Sequence, residues 1–314
     1  MKKLKIKLKI FLITPFIIII ILTSCATDRP VMEIKESARD YEELALSHYN
    51  RGDFQNAILF FQKALEEDQK VNNLPGMASD LQHLARCYFE YGFIESAEKL
   101  INEALEINKR TNNKSGMGDN YIMIASMKSR DGNYEEALEL LNKGYKLYES
   151  DKNKTGMATS LNNMGSIYIR QGKYTEAYDK IETAIVINKK EKNHAGLAAA
   201  YNNLGYLHEL QDKNEIALEY YLKALEEDKF IENSLGISSD LNNIAKYYQK
   251  TGDYENALYY FKRALEVNRG LEFLERVQSD LKNIVDLLGT MGREEEKKLY
   301  AKALQEVEVA MKKQ

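Results

Sequence analysis

The feature that most constrains the fold of this chain is a spacing of forty residues that recurs seven times. Asp212 stands at one of the seven positions, and glycine stands at the other six: Gly52, Gly92, Gly132, Gly172, Gly252 and Gly292. A second glycine series keeps the same period: Gly76, Gly116, Gly156, Gly196 and Gly236. Such a period is typical of a solenoid, in which each unit buries its apolar face against its neighbours. The period therefore predicts a one-dimensional array, although the length of 314 residues alone would suggest about two domains.

Each unit is predicted to be an antiparallel pair of helices. In the fourth unit, positions i, i+3, i+4 and i+7 of the first helix carry Leu161, Met164, Gly165 and Tyr168. After the turn, the buried face of the second helix carries Ala177, Ile181 and Ala184. Gly172 between them permits the left-handed backbone that ends a helix.

The same small residues recur in the other units. Alanine stands five residues after six of the turns, at Ala57, Ala97, Ala137, Ala177, Ala217 and Ala257. This pattern resembles the tetratricopeptide repeat, and the forty-residue period is similar to that of kinesin light chains, Leu-Gly-Asn scaffolds and some bacterial peptide-sensing regulators. Because the usual period is about 34 residues, the additional residues are expected between the second helix and the next hairpin. The resemblance implies an all-α, right-handed α-solenoid of about seven helix-turn-helix units over 37–314, with the charged last helix as a cap.

The N-terminus has the layout of a bacterial lipoprotein. Five lysines in Met1–Lys9 precede an apolar run over Ile10–Leu22, which is short for a membrane-spanning helix. The tetrad Leu22-Thr23-Ser24-Cys25 resembles a lipobox. The resemblance implies a signal peptide over 1–24, lipidation of Cys25 and a tether over 25–36. An ordinary signal peptide or anchor with an incidental cysteine is the alternative.

The resemblance implies a location in the bacterial cell envelope, lipid-anchored outside the cytoplasmic membrane. Ala26 stands where aspartate favours inner-membrane retention in enteric bacteria, so the analogy allows an outer-membrane destination. Removal of the five lysines changes the formal net charge from −4 to −9. That charge argues against a nucleic-acid partner and leaves the lipid as the membrane contact. Cys87 stands in a mostly apolar column and is expected to be buried.

The first helices of such arrays line a concave groove, into which two adjacent positions per helix point. Here these pairs are Glu42-Glu43, Gln82-His83, Ile122-Met123, Asn162-Asn163, Asn202-Asn203, Asn242-Asn243 and Lys282-Asn283. Asparagine offers a donor and an acceptor. By resemblance, Asn163, Asn203, Asn243 and Asn283 are assigned to the backbone of an extended peptide, with Asn162, Asn202 and Asn242 beside them. The alternative is that duplication copied them, or that they bond neighbouring helices and set their register.

Further along the same helices, the groove column adds Ser166, Tyr206, Lys246, Arg130 and Arg170. The two arginines are predicted to pair with acidic side chains or a carboxylate of a partner, or else to be solvated helix ends. The histidines lack metal-ligand spacing, and no phosphate loop or nucleophile elbow is present. The sequence therefore predicts no enzyme and no cofactor.

The functional prediction is a membrane-anchored adaptor that binds an extended peptide segment of a partner protein in the groove. A structural subunit of a bacterial envelope assembly complex is the alternative. A cytosolic peptide sensor with a misread N-terminus and an enzyme are two further hypotheses.

Overall fold

The computed structural model describes residues 30–271 and 273–312. These residues form fourteen α-helices and no strand. The all-α solenoid prediction is therefore confirmed for this part of the chain. The predicted signal peptide and Cys25 lie outside the described residues.

The helices alternate between two roles within seven hairpins. The first helix of each hairpin, here called the A helix, is α1 (Val31–Asn50), α3 (Leu74–Glu90), α5 (Lys114–Arg130), α7 (Lys154–Arg170), α9 (His194–Leu210), α11 (Ser234–Thr251) or α13 (Leu274–Thr290). The second, the B helix, is α2 (Phe54–Lys70), α4 (Ile94–Arg110), α6 (Tyr134–Ser150), α8 (Tyr174–Glu191), α10 (Asn214–Phe230), α12 (Tyr254–Gly270) or α14 (Glu294–Met311). We call the A-to-B connections turns and the B-to-A connections joints.

Left-handed backbone ends the helix at every turn. The six turn glycines have φ between 70° and 84°, which a residue without a Cβ adopts without strain. Asp212 takes the same conformation with φ 57°, which aspartate tolerates better than most side chains. Five joints also contain one residue with left-handed backbone, which directly precedes the last residue of the joint. These residues are Asn72, Asn112, Lys152, Lys192 and Glu232.

The expectation that the forty-residue period lengthens the joints is wrong. From α2 onward each helix starts twenty residues after the preceding one, so turns and joints are equally short. Leu74, Pro75 and Gly76 have the composition of a connection, but they form the first turn of α3. Proline and glycine are tolerated there because the first N–H groups of a helix have no partner inside it.

Small residues let the A and B helices of each hairpin approach closely. The alanines after the turns are almost completely buried, as Ala57 and Ala177 illustrate. A Cβ added at Gly165 would overlap Ile181, and one added at Gly205 would overlap Tyr221. The small-residue columns therefore serve packing.

The second glycine series serves the contact between one unit and the next. Gly116 and Gly196 lie within helices. The side chains of Asn108 and Asn188, from the preceding B helix, fill the space that a Cβ would take. An added Cβ would displace these buried asparagines. These glycines therefore make room for a polar side chain and do not supply an unusual backbone angle.

Consecutive A helices also pack against one another, as α3 does with α5, α5 with α7 and α7 with α9. This places the A helices on the inner, concave side of the array. The first of them begins at Val31, with Ile34 buried, so the last six residues of the predicted tether are helical. The last helix, α14, has no buried residue and exposes charged residues, among them Glu295 and Lys298. None of the helices in the described part has both the length and the apolarity needed to cross a membrane.

Candidate functional site

A cavity of about 370 Å³ opens on the concave side between the A helices of units two to four. α3 contributes Phe89, and α6 contributes Leu141 to the floor. The remaining lining residues come from α5 and α7: Ala125, Ser126, Ser129, Arg130, Asn163, Ser166, Ile167 and Arg170. No acidic residue is part of this lining, so the cavity is positively charged and partly apolar.

Three of the predicted binding residues, Asn163, Arg130 and Arg170, meet in this cavity. The guanidinium carbon of Arg130 lies 5.3 Å from the centroid of the Phe89 ring, an arrangement that orients the cation without neutralising it. Neither arginine forms an ion pair with any described residue. The side chain of Asn163 likewise has no hydrogen bond within the described chain. Their polar atoms are therefore available to a ligand.

Five of the other six asparagines of the series form hydrogen bonds between neighbouring A helices. Asn203 donates through Nδ2 to Oδ1 of Asn162 at 2.9 Å, and Asn243 donates to Oδ1 of Asn202 at 3.1 Å. Asn202 also donates to Oδ1 of Asp240 at 2.6 Å. These bonds each join one unit to the next, as the alternative interpretation of the series expected. Because an amide offers two donors and an acceptor, Asn203 and Asn243 keep part of their capacity for a ligand.

The other eight residues of the predicted site lie outside the cavity. Tyr206 and Lys246 are exposed on α9 and α11, further along the concave face. Asn283 on α13 makes no hydrogen bond with a described residue. Asn242, in contrast, donates to Oδ1 of Asp280 at 2.8 Å and belongs to the inter-unit network.

The predicted site residues did not include the lining residues Phe89, Ser126 and Ser129. Ser126 stands forty residues before Ser166, so the repeat period could have indicated it. The three missed residues line the cavity because the end of one A helix lies beside the middle of the next. For Phe89 and Ser129, only the offset between neighbouring units shows this contact.

The strongly perturbed carboxyl groups lie between units and not in the cavity. Burial raises the pKa of Asp80 to about 8, with the nearby carboxylates Glu42 and Asp68 adding to the rise. Burial also raises the pKa of Asp240 to about 8, against the hydrogen bond from Asn202. Perturbed acids often mark active sites, but these two are almost completely buried between packed helices. They belong to the contacts that join the units.

The lone thiol in the described residues is structural. Cys87 is buried, as its column predicted, and burial raises its pKa to about 12. No group of His, Cys, Asp and Glu in the described part of the chain is arranged to hold a metal ion.

Comparison with known families identifies the class of the protein. Models of the tetratricopeptide repeat match residues 37–110, 156–229 and 210–270, and a second model of this repeat matches 118–151. The chain therefore belongs to the tetratricopeptide repeat family, whose members are protein-interaction scaffolds and typically have no catalytic activity of their own. No curated protein is similar in sequence.

Solved structures share this fold at low sequence identity. A Rap protein complexed with Competence and Sporulation Factor has a TM-score of 0.66 at 17% identity, covering 90% of this chain and 80% of its own. Aspartyl phosphate phosphatase F from Bacillus subtilis has a TM-score of 0.60 at 17% identity, covering 88% and 72%. BtubC (BKLC) from P. vanneervenii has a TM-score of 0.53 at 20% identity, covering 70% and 92%.

Proposed function

We propose that this protein is an adaptor that binds an extended segment of a partner protein along its concave face. The observation that carries this proposal is the cavity between α3, α5 and α7, where Asn163, Arg130 and Arg170 have no polar partner in the described chain. A Rap protein of the same fold is complexed with Competence and Sporulation Factor, which supports a binding role for the fold.

The chemistry of the cavity indicates what the segment carries. Two arginines in a lining that contains no acidic residue favour a carboxylate, which one guanidinium can bind through two parallel hydrogen bonds. The apolar floor formed by Phe89, Leu141 and Ile167 favours an adjacent apolar side chain. We therefore expect an acidic residue or chain terminus next to an apolar residue. We assign Asn163 to the backbone of the same segment.

We further propose that the protein acts without catalysis. Its strongly perturbed acids, Asp80 and Asp240, are buried between units and line neither the groove cavity nor any other cavity described here. A catalytic acid or base has to reach a substrate. The groove itself offers arginine, asparagine and serine side chains, which suit recognition.

Photo-crosslinking in cells tests the groove directly. A photoreactive phenylalanine analogue at Ser166, inside the cavity, is expected to crosslink a partner that mass spectrometry can identify. The same analogue at Glu139, exposed on α6, is the control. Crosslinks from Glu139 alone would contradict the groove and favour a structural subunit that uses other surfaces.

Affinity measurements then test the arginines. Once the partner segment is known, replacing Arg130 or Arg170 by alanine removes a charge-assisted hydrogen bond worth about 1.5–3 kcal/mol, or roughly a tenfold to hundredfold loss of affinity. The exposed Arg269 on α12, replaced in the same way, is the matched control for a lost surface charge. Equal affinities for all three variants would refute the assignment.

We also propose that a lipid on Cys25 anchors the adaptor in the bacterial cell envelope. The support is the order of basic segment, apolar run and lipobox-like tetrad in the sequence. Incorporation of a labelled fatty acid into the full chain, and its loss in Cys25→Ala, tests this proposal. Absence of label from the unaltered chain would favour a cytosolic peptide sensor.

A further inference from the structure

The two ends of the array meet. The turn of the first unit lies against the joint that precedes α13, where the rings of Phe54 and Phe273 pack edge to face with centroids 5.5 Å apart. Phe54 is only 5% exposed. Gly52 is buried, whereas the corresponding residues of the six other turns are exposed. The array therefore returns to its own beginning.

We call this the closure contact, formed by Gly52, Phe54 and Tyr91 on one side and Leu271, Phe273 and Arg276 on the other. Leu271 is 8% exposed, and the Tyr91 ring packs edge to face on Phe54 with centroids 6.3 Å apart. Beside it lies a cavity of about 590 Å³, lined on both sides by polar residues such as Arg51 and Glu275. Packing beside the contact is thus incomplete, which suits an interface that separates.

The closure contact gathers residues at which the repeat pattern breaks. Phe273 stands where the five preceding joints have asparagine, and Arg276 stands where they have glycine. On the other side, Tyr91 is the only aromatic residue directly before the central residue of any of the seven turns. Packing within a unit does not explain these departures from the repeat pattern. The contact between the two ends of the array explains them, because the departing residues lie together there.

Phe273 is unfavourable for its own unit. In four other joints the asparagine donates to a buried side-chain oxygen of the preceding B helix, as Asn113 does to Oδ1 of Asn108 at 3.0 Å. With phenylalanine at 273, the buried Oδ1 of Asn268 has no partner. The side chain at 273 also gives α13 no cap. A buried acceptor without a donor is costly, so the compensation has to come from the packing on Phe54.

Arg276 joins three parts of the array. Its Nη1 donates to the carbonyl of Leu235 at 3.2 Å and to Oγ of Ser239 at 3.1 Å, both in unit six. Its guanidinium carbon lies 5.3 Å from the centroid of the Phe273 ring. Burial lowers the pKa of the guanidinium, and the carboxylate of Glu90 in the second unit lies near enough to oppose that shift. Arg276 therefore holds Phe273 in place and faces an acidic group across the contact.

We propose that the closure contact is a latch, which holds the superhelix closed in the free protein and opens without unfolding any unit. Since the A helices line the inner face, the latch sets how wide the groove is. Opening distributes a small change of angle over the joints between units. This proposal goes beyond the groove's role and holds whether or not the groove binds a segment.

A chemical crosslink tests the closed state in the full chain while Phe273 stays in place. Gln55 and Glu275 line the same cavity beside the closure contact, one on each side, and both are exposed. The pair Gln55→Cys and Glu275→Cys is therefore expected to be joined by a short bismaleimide, with the linked peptides identified by mass spectrometry. The pair Gln55→Cys and Glu139→Cys is the control, because Glu139 is exposed on α6 in the middle of the array. Equal yields from both pairs would overturn the closed state.

The substitution Phe273→Asn tests the latch without weakening the unit. It restores the residue of the other joints, gives Asn268 a donor and allows a cap on α13. Spin labels at Gln55→Cys and Glu275→Cys, across the closure contact, report the distance between the ends by double electron–electron resonance. Labelling of Cys25 and Cys87 is checked on the chain without these two substitutions.

We expect one short, narrow distance distribution in the otherwise unaltered chain and a longer, broader one in Phe273→Asn. Its thermal stability should be unchanged or higher, which a merely destabilised variant would not show. An unchanged distance distribution in Phe273→Asn would overturn the latch, since the ends would then stay together without the aromatic contact. A longer distance accompanied by loss of helical signal would also count against it.

Discussion

The hydrogen bonds of a single joint asparagine allow a sharp prediction about what joins the units. Oδ1 of Asn113 accepts from the backbone N–H of Gly116 at 3.0 Å and so caps α5. Its Nδ2 donates to Oδ1 of Asn108 at 3.0 Å. Asn108 is only 1% exposed and in turn donates to Oδ1 of Asn120 at 2.8 Å. Asn113 therefore supports both a helix terminus and a buried polar network.

Replacing Asn113 by alanine removes both interactions. Loss of an N-cap costs about 1 kcal/mol, and a buried acceptor left without its donor costs about 1–3 kcal/mol. We expect the free energy of unfolding to fall by about 2–4 kcal/mol in total. Urea unfolding followed by far-ultraviolet circular dichroism measures this change, with the slope of the transition checked between variants.

The chain supplies a matched control at Asn133. This asparagine precedes α6 in the same way, but its side chain forms no cap hydrogen bond and is exposed. Asn133→Ala should therefore change the free energy of unfolding by less than about 0.5 kcal/mol. If Asn113→Ala and Asn133→Ala lose the same stability, the network does not join the units as argued.

Hydrogen exchange locates the effect of Asn113→Ala within the array. Each unit of a solenoid is stabilised by its own helices and by its nearest neighbours. Protection should therefore fall first in α4 and α5, on either side of the altered joint. A uniform loss of protection over all units would contradict this nearest-neighbour account.

Two further predictions concern acids and glycines. The pKa of Asp80 is about 8 in the folded chain and near 4 for an unfolded aspartate. The contribution of the protonated Asp80 to stability is therefore complete below about pH 4 and is lost as the pH rises to 8. Asp80→Asn should reduce the fall in the free energy of unfolding between those pH values. An unchanged pH dependence of that free energy, measured by urea unfolding at each pH, would refute this. Gly156→Ala should lower the melting temperature because the added Cβ overlaps the Tyr148 ring, whereas Gly270→Ala, with open space around its Cβ, should keep or raise it. The same sign of change for both glycines would contradict the packing argument.

The periodic part of the fold was predictable from the sequence. A turn glycine such as Gly172 and the buried alanine Ala177 each report a local requirement, namely a left-handed backbone angle and a close helix contact. Such requirements recur in every unit, so the sequence repeats them visibly. Asp212 replaces glycine without changing the backbone, because the conformation and not the residue type is what the turn needs.

The joints were misjudged for a physical reason. Residues of the first helical turn, such as Pro75 and Gly76, have the composition of a loop. The first turn of a helix tolerates such residues because its N–H groups lack partners within the helix. Gly76 stands there because the Asp68 side chain occupies the space of a Cβ, and that contact joins two different units.

The asparagines predicted to bind a peptide have different surroundings in the structure, for a related reason. Asn163 and Asn203 occupy equivalent positions in their units, and the sequence treats them alike. Only the packing of neighbouring A helices gives Asn203 a partner in Asn162 and leaves Asn163 open beside Arg130 and Arg170. A ligand role for the asparagines therefore stays a prediction, with Asn163 the member best placed for it.

The sequence by itself determined the number of units, the helices within each and the small residues that join them, because these depend on neighbours a fixed distance away along the chain. The tertiary structure alone decided which polar side chains remain open in the groove. It also decided that residues departing from the repeat pattern meet at the closure contact. Phe54 and Phe273 are far apart in sequence, and their contact follows from angles summed over the intervening joints. No single unit encodes that sum, so the closure of the array becomes visible only in three dimensions.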